Sequence, residues 1–247
     1  MITKNIIKNV QSLKQAKYRK EYQQFVVEGR KSVEELLASS LETVGLYATE
    51  RFLTDHECLD PRLETVSEVQ MEQMSSLDTP PGIMAVARIP ERPLEKLPPE
   101  RLSIALDGIG NPGNLGTIIR TAEWFGIKNI ICSDDCVEVW NPKVIQATMG
   151  SVFRVNVVST DLEVYLKKQQ ATGKALYGAL LKGEDIFTKD HWDDGVLIIG
   201  SESHGIREPL LPLITHPITI PKSKGSLTES LNASMATGII LAFWASK

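Results

Sequence analysis

Side chains able to do chemistry gather in two stretches. In the first, near the C-terminus, Ile218-Thr219-Ile220 is stopped by Pro221 and followed by a polar loop with Lys222, Lys224 and Gly225. A helix is expected over 230–244; its opening holds Ser230, Asn232 and Ser234, and Ala233, Ala236 and Gly238 continue into it. Free N–H groups at a helix start, crowded by hydroxyl and amide side chains, suit a polar or charged ligand. They equally suit an ordinary capped helix packed through small residues, and this stretch alone leaves both readings open. The second stretch, Gly108-Ile109-Gly110-Asn111-Pro112-Gly113, spells G-x-G-x-x-G between an expected strand and helix, and Asp134 lies 21 positions past Gly113. Such spacing is a dinucleotide fingerprint, implying a nicotinamide or flavin enzyme. Against it, Pro112 lacks the N–H that a pyrophosphate would take, and the loop runs on through Asn114 and Gly116.

Charge and thiol content narrow the partners. The formal net charge of −4 argues against bulk nucleic-acid binding, but it averages an uneven chain. Residues 1–31 carry Lys4, Lys8, Lys14, Lys17, Arg19, Lys20, Arg30 and Lys31 against Glu21 and Glu28, an excess of six. That excess reads either as a phosphate-facing patch or as solvated helix faces. Cys58, Cys132 and Cys136 lack zinc spacing and imply reduced thiols in the cytoplasm. His204 reads as a loop histidine; His56, His191 and His216 are scattered, so no metal site is expected. No apolar run is long enough for a bilayer, and the N-terminus lacks the apolar core of a secretory signal.

Three blocks taken together are more specific. They are 111–126 (NPGNLGTIIRTAEWFG), 197–210 (LIIGSESHGIREPL) and the C-terminal stretch. In order and spacing they resemble the signature motifs of the SpoU, or TrmH-type, RNA ribose methyltransferases. Asn114, Gly116 and Arg120 match the first motif; Gly200 and Glu202, followed by Gly205, match the second. Ile220-Pro221 and Ser230-Leu231-Asn232 match the third, although the spacing between them is longer here and Lys222 replaces a usual methionine. The likeness covers residues 100–247, and the N-terminal unit looks like the ribosomal-protein-like RNA-binding domain of many members.

The resemblance implies a mostly parallel α/β sheet flanked by helices, with a deep SPOUT-like trefoil knot, behind a small N-terminal α/β domain. It implies S-adenosyl-L-methionine held by backbone around Gly200, Ile220 and Leu231, with Leu180 and Ser230 adjoining. It implies a homodimer, and transfer of a methyl group to a ribose 2′-hydroxyl of 23S-type ribosomal RNA. Transfer RNA is the alternative substrate, and a nonenzymatic RNA-binding protein on the same fold is the alternative class. Arg120 would bind the neighbouring phosphate and favour loss of the hydroxyl proton electrostatically, since a guanidinium offers no acceptor. Asn114 would orient the RNA or Arg120, and Glu202 would meet Arg120 or the cofactor. Ser230 and Asn232 would touch the ribose or the methionine end while capping their helix. Lys14, Lys17, Arg19, Lys20, Arg30 and Arg120 are the expected RNA contacts.

These residues need a scaffold, and the patterning supplies one. Residues 1–89 read as a small α/β unit, with helices over 2–13, 31–39 and 66–77 and strands over 24–28, 44–48 and 83–88. Pro90, Pro93, Pro98 and Pro99 mark a stiff linker over 90–100. Across 101–247, strands over 103–106, 129–132, 153–158, 175–180, 196–200 and 218–220 alternate with helices over 115–125, 142–149, 162–170 and 230–244. Alternation of this kind predicts a mostly parallel sheet with ligands at the carboxyl ends of its strands.

Overall fold

Apolar spacing and capping side chains set the N-terminal elements. In the computed structural model, which describes residues 2–56 and 60–247, Thr3 caps α1 (Lys4–Ser12), and Ile7 and Val10 turn inward. α2 (Ala16–Tyr22) stops at Gln23, whose φ of +51° is left-handed. There follow β1 (Gln24–Glu28), α3 (Arg30–Leu37), β2 (Thr43–Thr49), α4 (Glu50–Asp55), β3 (Leu63–Val66), α5 (Glu68–Met74) and β4 (Ile83–Arg88). Ser67 and Gln70 form a reciprocal capping box on α5. The sheet order is β1-β4-β2-β3, with β4 antiparallel to both neighbours and β2 parallel to β3. Val10, Leu13, Val26, Met71, Met74 and Met84 belong to its core. The sequence pattern misses α2, α4 and β3, because each is short and turns few apolar residues inward. Cys58 lies outside the described residues.

The chain divides into two compact units, and the first joins residues up to Glu91 with the return 138–153. That return carries a helix over Pro142–Thr148, and Trp140 packs on Phe25 with ring centroids 4.4 Å apart. Alternation alone placed this segment with 101–247, because its buried Trp140, Val144, Ile145 and Phe153 fit any core. Glu138 accepts from Arg19, whose Nε lies 3.1 Å from both carboxylate oxygens and whose Nη1 donates to the Leu13 carbonyl at 2.7 Å. Arg19 is 2% exposed, so the expectation that it contacts RNA is corrected: its charge is used inside the unit.

The second unit takes in residues 92–137 and 154–247. Its elements are β5 (Leu102–Asp107), α6 (Pro112–Trp124), β6 (Asn129–Cys132), β7 (Asn156–Ser159), α8 (Leu162–Ala171), β8 (Ala175–Asp185), β9 (Gly195–Gly200), β10 (His216–Thr219) and α9 (Ala233–Ala245), while α7 is the helix Pro142–Thr148 placed above. The six strands are parallel in the order β10-β8-β9-β5-β6-β7. All of β5 is buried, as a central parallel strand covered on both faces must be. Ala105, Ile131, Leu166, Leu176, Val196 and Ile198 share one core cluster. Strand order reverses between β5 and β9, where α/β sheets open a crevice for ligands. Two boundaries depart from expectation. The strand read over 153–158 begins only at Asn156, after a 3-10 turn at Ser151–Phe153. The last helix begins at Ala233 rather than Ser230, because Asn232 is the residue that caps it.

Candidate active site

The site is built at the carboxyl end of the second unit's sheet. β5 ends at Asp107, and residues 108–111 lead into α6. Asn111 caps that helix, its Oδ1 accepting from the Gly113 N–H at 2.8 Å and the Asn114 N–H at 3.1 Å. Gly108 donates its N–H to Ser133 Oγ at 2.9 Å, and Ile109 donates to Cys136 Sγ at 3.2 Å. Four N–H groups that a pyrophosphate would draw on, those of Gly108, Ile109, Gly113 and Asn114, are therefore taken. Asp134 meanwhile lines a cavity of about 320 Å³ with Asp135, Asp161, Glu163 and Arg207, where four acids against one arginine disfavour phosphate. The dinucleotide reading of 108–113 fails on this geometry.

Three of the expected site residues come together. The Asn114 side-chain amide donates to Glu202 Oε1, and Asn232 Nδ2 donates to Asn114 Oδ1 at 3.0 Å. Asn232 Oδ1 also accepts from the N–H groups of Ser234 and Met235, at 2.9 and 3.3 Å. One amide thus caps α9 and ties it to the start of α6, while Asn114 carries the tie on to the loop after β9. Side chains from all three sequence blocks form one hydrogen-bonded line.

Arg120 stands apart from that line. It is exposed on α6, and neither Glu202 nor any other described carboxylate pairs with it. At about 100° per residue its side chain leaves the helix on a different side from Asn114. The expected meeting of Glu202 with Arg120 is thus replaced by Asn114. Ser230 and Leu231 lie in an irregular exposed run before α9, so Ser230 does not cap the helix. Lys14, Lys17, Lys20 and Arg30 are exposed in the first unit; Lys14 Nζ donates to the Ser75 carbonyl at 2.5 Å, and Arg30 pairs with Glu34 at 2.7 Å.

The residues expected to hold S-adenosyl-L-methionine lie on neighbouring strands. Gly178 in β8 pairs with Ile198 in β9, the last pair of that ladder, two residues short of Leu180 and Gly200. β10 flanks β8 on its other side and leads to Ile220. Gly200 is a close backbone approach: a Cβ there would run into the backbone of Gly205 and Ile206. From Ile220 to Asn232 the chain is neither helix nor strand, leaving peptide N–H and C=O groups available for a polar heterocycle and a ribose. The close backbone approach at Gly200 and the free backbone after Ile220 suit a cofactor held by peptide groups.

Two features escaped the sequence reading. Asp107, buried at the end of β5, accepts from Arg207 through its backbone N–H at 2.8 Å and through Nε at 2.6 Å. That partnership holds the Arg207 guanidinium above its ordinary range. A hydrogen bond from Ser133, aided by the Arg207 charge, holds Asp135 below the usual carboxylate range. Beside them, hydrogen bonding from Cys132 and then from Ser133 and the Ile109 N–H lowers Cys136 to about 6, while its role as donor and its burial push Cys132 well up. An acid closing a fully buried strand was the available signal for Asp107; nothing local marked Arg207 as its partner. Among the described residues no group of three or more His, Cys, Asp or Glu is placed to hold a metal ion. No described helix is long and apolar enough to cross a membrane.

Comparison with known proteins gives consistent matches. Residues 101–242 match the SpoU rRNA Methylase family, and residues 4–85 match the MRM3-like substrate binding domain. The 23S rRNA (guanosine(2553)-2'-O)-methyltransferase RlmP of Bacillus subtilis is 31% identical over 242 residues, covering 95% of this chain and 94% of that protein. A TrmH-family protein from Porphyromonas gingivalis superposes with a TM-score of 0.89 at 35% identity, over 99% of this chain and 98% of that one. The AdoMet-bound rRNA methyltransferase from Sinorhizobium meliloti gives 0.85 at 29% identity, over 98% and 95%.

Proposed function

The chain belongs to the SpoU rRNA methylase family, and from that premise we propose that it transfers a methyl group from S-adenosyl-L-methionine to a ribose 2′-hydroxyl of 23S-type ribosomal RNA. One observation carries the reading to this chain's own residues: the line Asn232–Asn114–Glu202, which joins side chains from three separate blocks. When bound, the cofactor supplies an electrophilic sulfonium methyl group. The protein's work is to align the hydroxyl with it, exclude water and ease the loss of a proton. Arg120, exposed and without a carboxylate partner among the described residues, is available to bind the phosphate next to the target ribose as a bidentate donor. Its positive charge there favours the developing alkoxide. Glu202, held through one oxygen by Asn114, keeps the other for a ribose hydroxyl. Backbone around Gly200, Ile220 and Leu231, with Leu180 and Ser230 adjoining, would hold the cofactor.

The wider reading has the C-terminal part threaded as a trefoil knot; insertion of β9 between β8 and β5, with β10 beyond β8, is the support. It also has the protein working as a cytoplasmic homodimer. Trp124, at 84% exposed, and Met235 and Leu227, at 60% and 95%, are large apolar groups that a partner would cover. Lys14, Lys17 and Lys20 would meet RNA phosphates. The deciding experiment titrates the protein calorimetrically with S-adenosyl-L-methionine and separately with NAD, then maps ribose methylation on ribosomal RNA from a strain lacking the gene. Binding of the first alone, with one ribose losing its methyl group, is the expected result. Binding of NAD alone, or an unchanged methylation map for both ribosomal and transfer RNA, overturns the proposal.

A further inference from the structure

Asp107 sits where two arms of the site meet. In the sheet it is paired with Gly200, the last residue of β9. The chain then makes an excursion over 201–206 that folds back on its own start: Ser201 and Gly205 bridge, and the Gly205 N–H donates to the Ser201 carbonyl at 2.8 Å. Arg207 returns it to Asp107, with its backbone N–H 2.8 Å from Oδ2, its Nε 2.6 Å from Oδ1 and its Nη2 2.5 Å from Oδ1. The excursion carrying Glu202 is thus pinned at both ends on one buried aspartate. On the other arm, Asp107 leads through the anchored Gly108 and Ile109 to Asn111 and Asn114. Arg207 reaches this support too, since Nη1 lies 3.3 Å from Oδ2 of Asp135, on the turn that holds Gly108 and Ile109.

We infer that Arg207, acting through Asp107, is a positioning residue for methyl transfer: it fixes where Glu202 stands against Asn114 without touching substrate or cofactor. The inference rests on the reaction proposed above. A planar fork is needed because one cation must place Nε and Nη2 on Oδ1 of Asp107 while Nη1 reaches Asp135, which a lysine ammonium cannot do. Removing Arg207 alone would leave Asp107 buried and unpaired, and would confuse lost position with lost stability. Asp107→Asn combined with Arg207→Met avoids this, because Asn keeps an acceptor for the residue-207 N–H while the charge is gone.

The test compares wild type, Arg207→Lys and the double variant by amide hydrogen exchange, thermal unfolding and steady-state kinetics. In the double variant, amides over 201–206 should exchange about tenfold faster while those of β5 and β9 keep their protection. kcat should fall about a hundredfold, as expected for a misplaced group, with KM for RNA little changed. Arg207→Lys should unfold near the wild-type temperature yet lose most of its kcat. Unchanged exchange over 201–206, or a kcat loss that only follows the fraction unfolded, overturns the inference. A wild-type protein that binds cofactor but transfers no methyl group sinks the reaction itself, and the exchange data alone then decide whether Arg207 fixes the loop.

Discussion

Asn232 donates its side-chain amide to Asn114 across 118 residues of chain, at 3.0 Å, while the carbonyl end of the same amide caps α9. Its two ends can be separated by mutation. Asn232→Asp keeps the capping oxygen but has nothing to donate to Asn114. It should unfold within about 0.5 kcal/mol of wild type and lose kcat at least about tenfold. Asn232→Ala should lose both, with about 1 kcal/mol of stability. Full turnover by the Asp variant would show that the tie to Asn114 does not matter to the reaction.

Arg120 invites the opposite pattern. Exposed and unpaired with any described carboxylate, it contributes little to the fold, so Arg120→Ala should change stability by less than about 0.5 kcal/mol. If its guanidinium holds the phosphate beside the reacting hydroxyl, kcat should drop by about a hundredfold or more. Arg120→Lys distinguishes charge from geometry. A lysine enzyme with near-full turnover would rule out a bidentate role.

For RNA binding by the first unit, the informative set is Lys14, Lys17 and Lys20, without Arg19. All three lysines are exposed, whereas Arg19 is buried against Glu138. Changing the three to Gln should weaken RNA binding and flatten its salt dependence by up to about two units of slope, at about 0.7 per phosphate contact on a single strand. Salt titration of RNA affinity reads this directly. An identical slope removes the patch from the interface.

The contrast between Arg19 and its neighbours shows where sequence reading runs out. β1, β4 and β6 could be delimited to the residue because each is a bounded apolar run. Asn114, Glu202 and Asn232 could be picked out because three motifs agree. Whether a basic residue faces water or a buried acid depends on a contact such as Arg19–Glu138, which spans 119 positions and leaves no local pattern. The same holds for Arg207, whose partner Asp107 lies 100 positions away. Ser230 was misplaced for a smaller reason: Ser and Asn are both good caps, and only the observed hydrogen bonds select Asn232.

Cys136 gives a pH-dependent readout of the 108–111 loop. Hydrogen bonds from Cys132, Ser133 and the Ile109 N–H hold its thiol at about 6, below the ordinary 9.0. A thiol lowered in the fold contributes stability that is complete above its ordinary value and is lost as pH falls through about 6. Alkylation by iodoacetamide should therefore rise between about pH 5 and 7 and then level off. Cys132, buried and pushed up, should stay unmodified in the native protein. A Cys136 rate that keeps climbing toward pH 9 would show that the loop donors do not reach the sulfur.

Glu138 tests whether the return 138–153 is structurally required by the first unit. Its carboxylate is the partner of a guanidinium that is 2% exposed, and Trp140 two positions on packs against Phe25. Glu138→Ala leaves Arg19 charged in the interior with only the Leu13 carbonyl as acceptor, which should cost about 3 kcal/mol. Replacing both partners, Arg19→Met with Glu138→Ala, removes the stranded charge and should recover most of that loss. Urea unfolding of the two single variants and the double one closes the cycle. If Glu138→Ala unfolds like wild type, Arg19 must find another partner or water, and the return is held by its apolar residues alone.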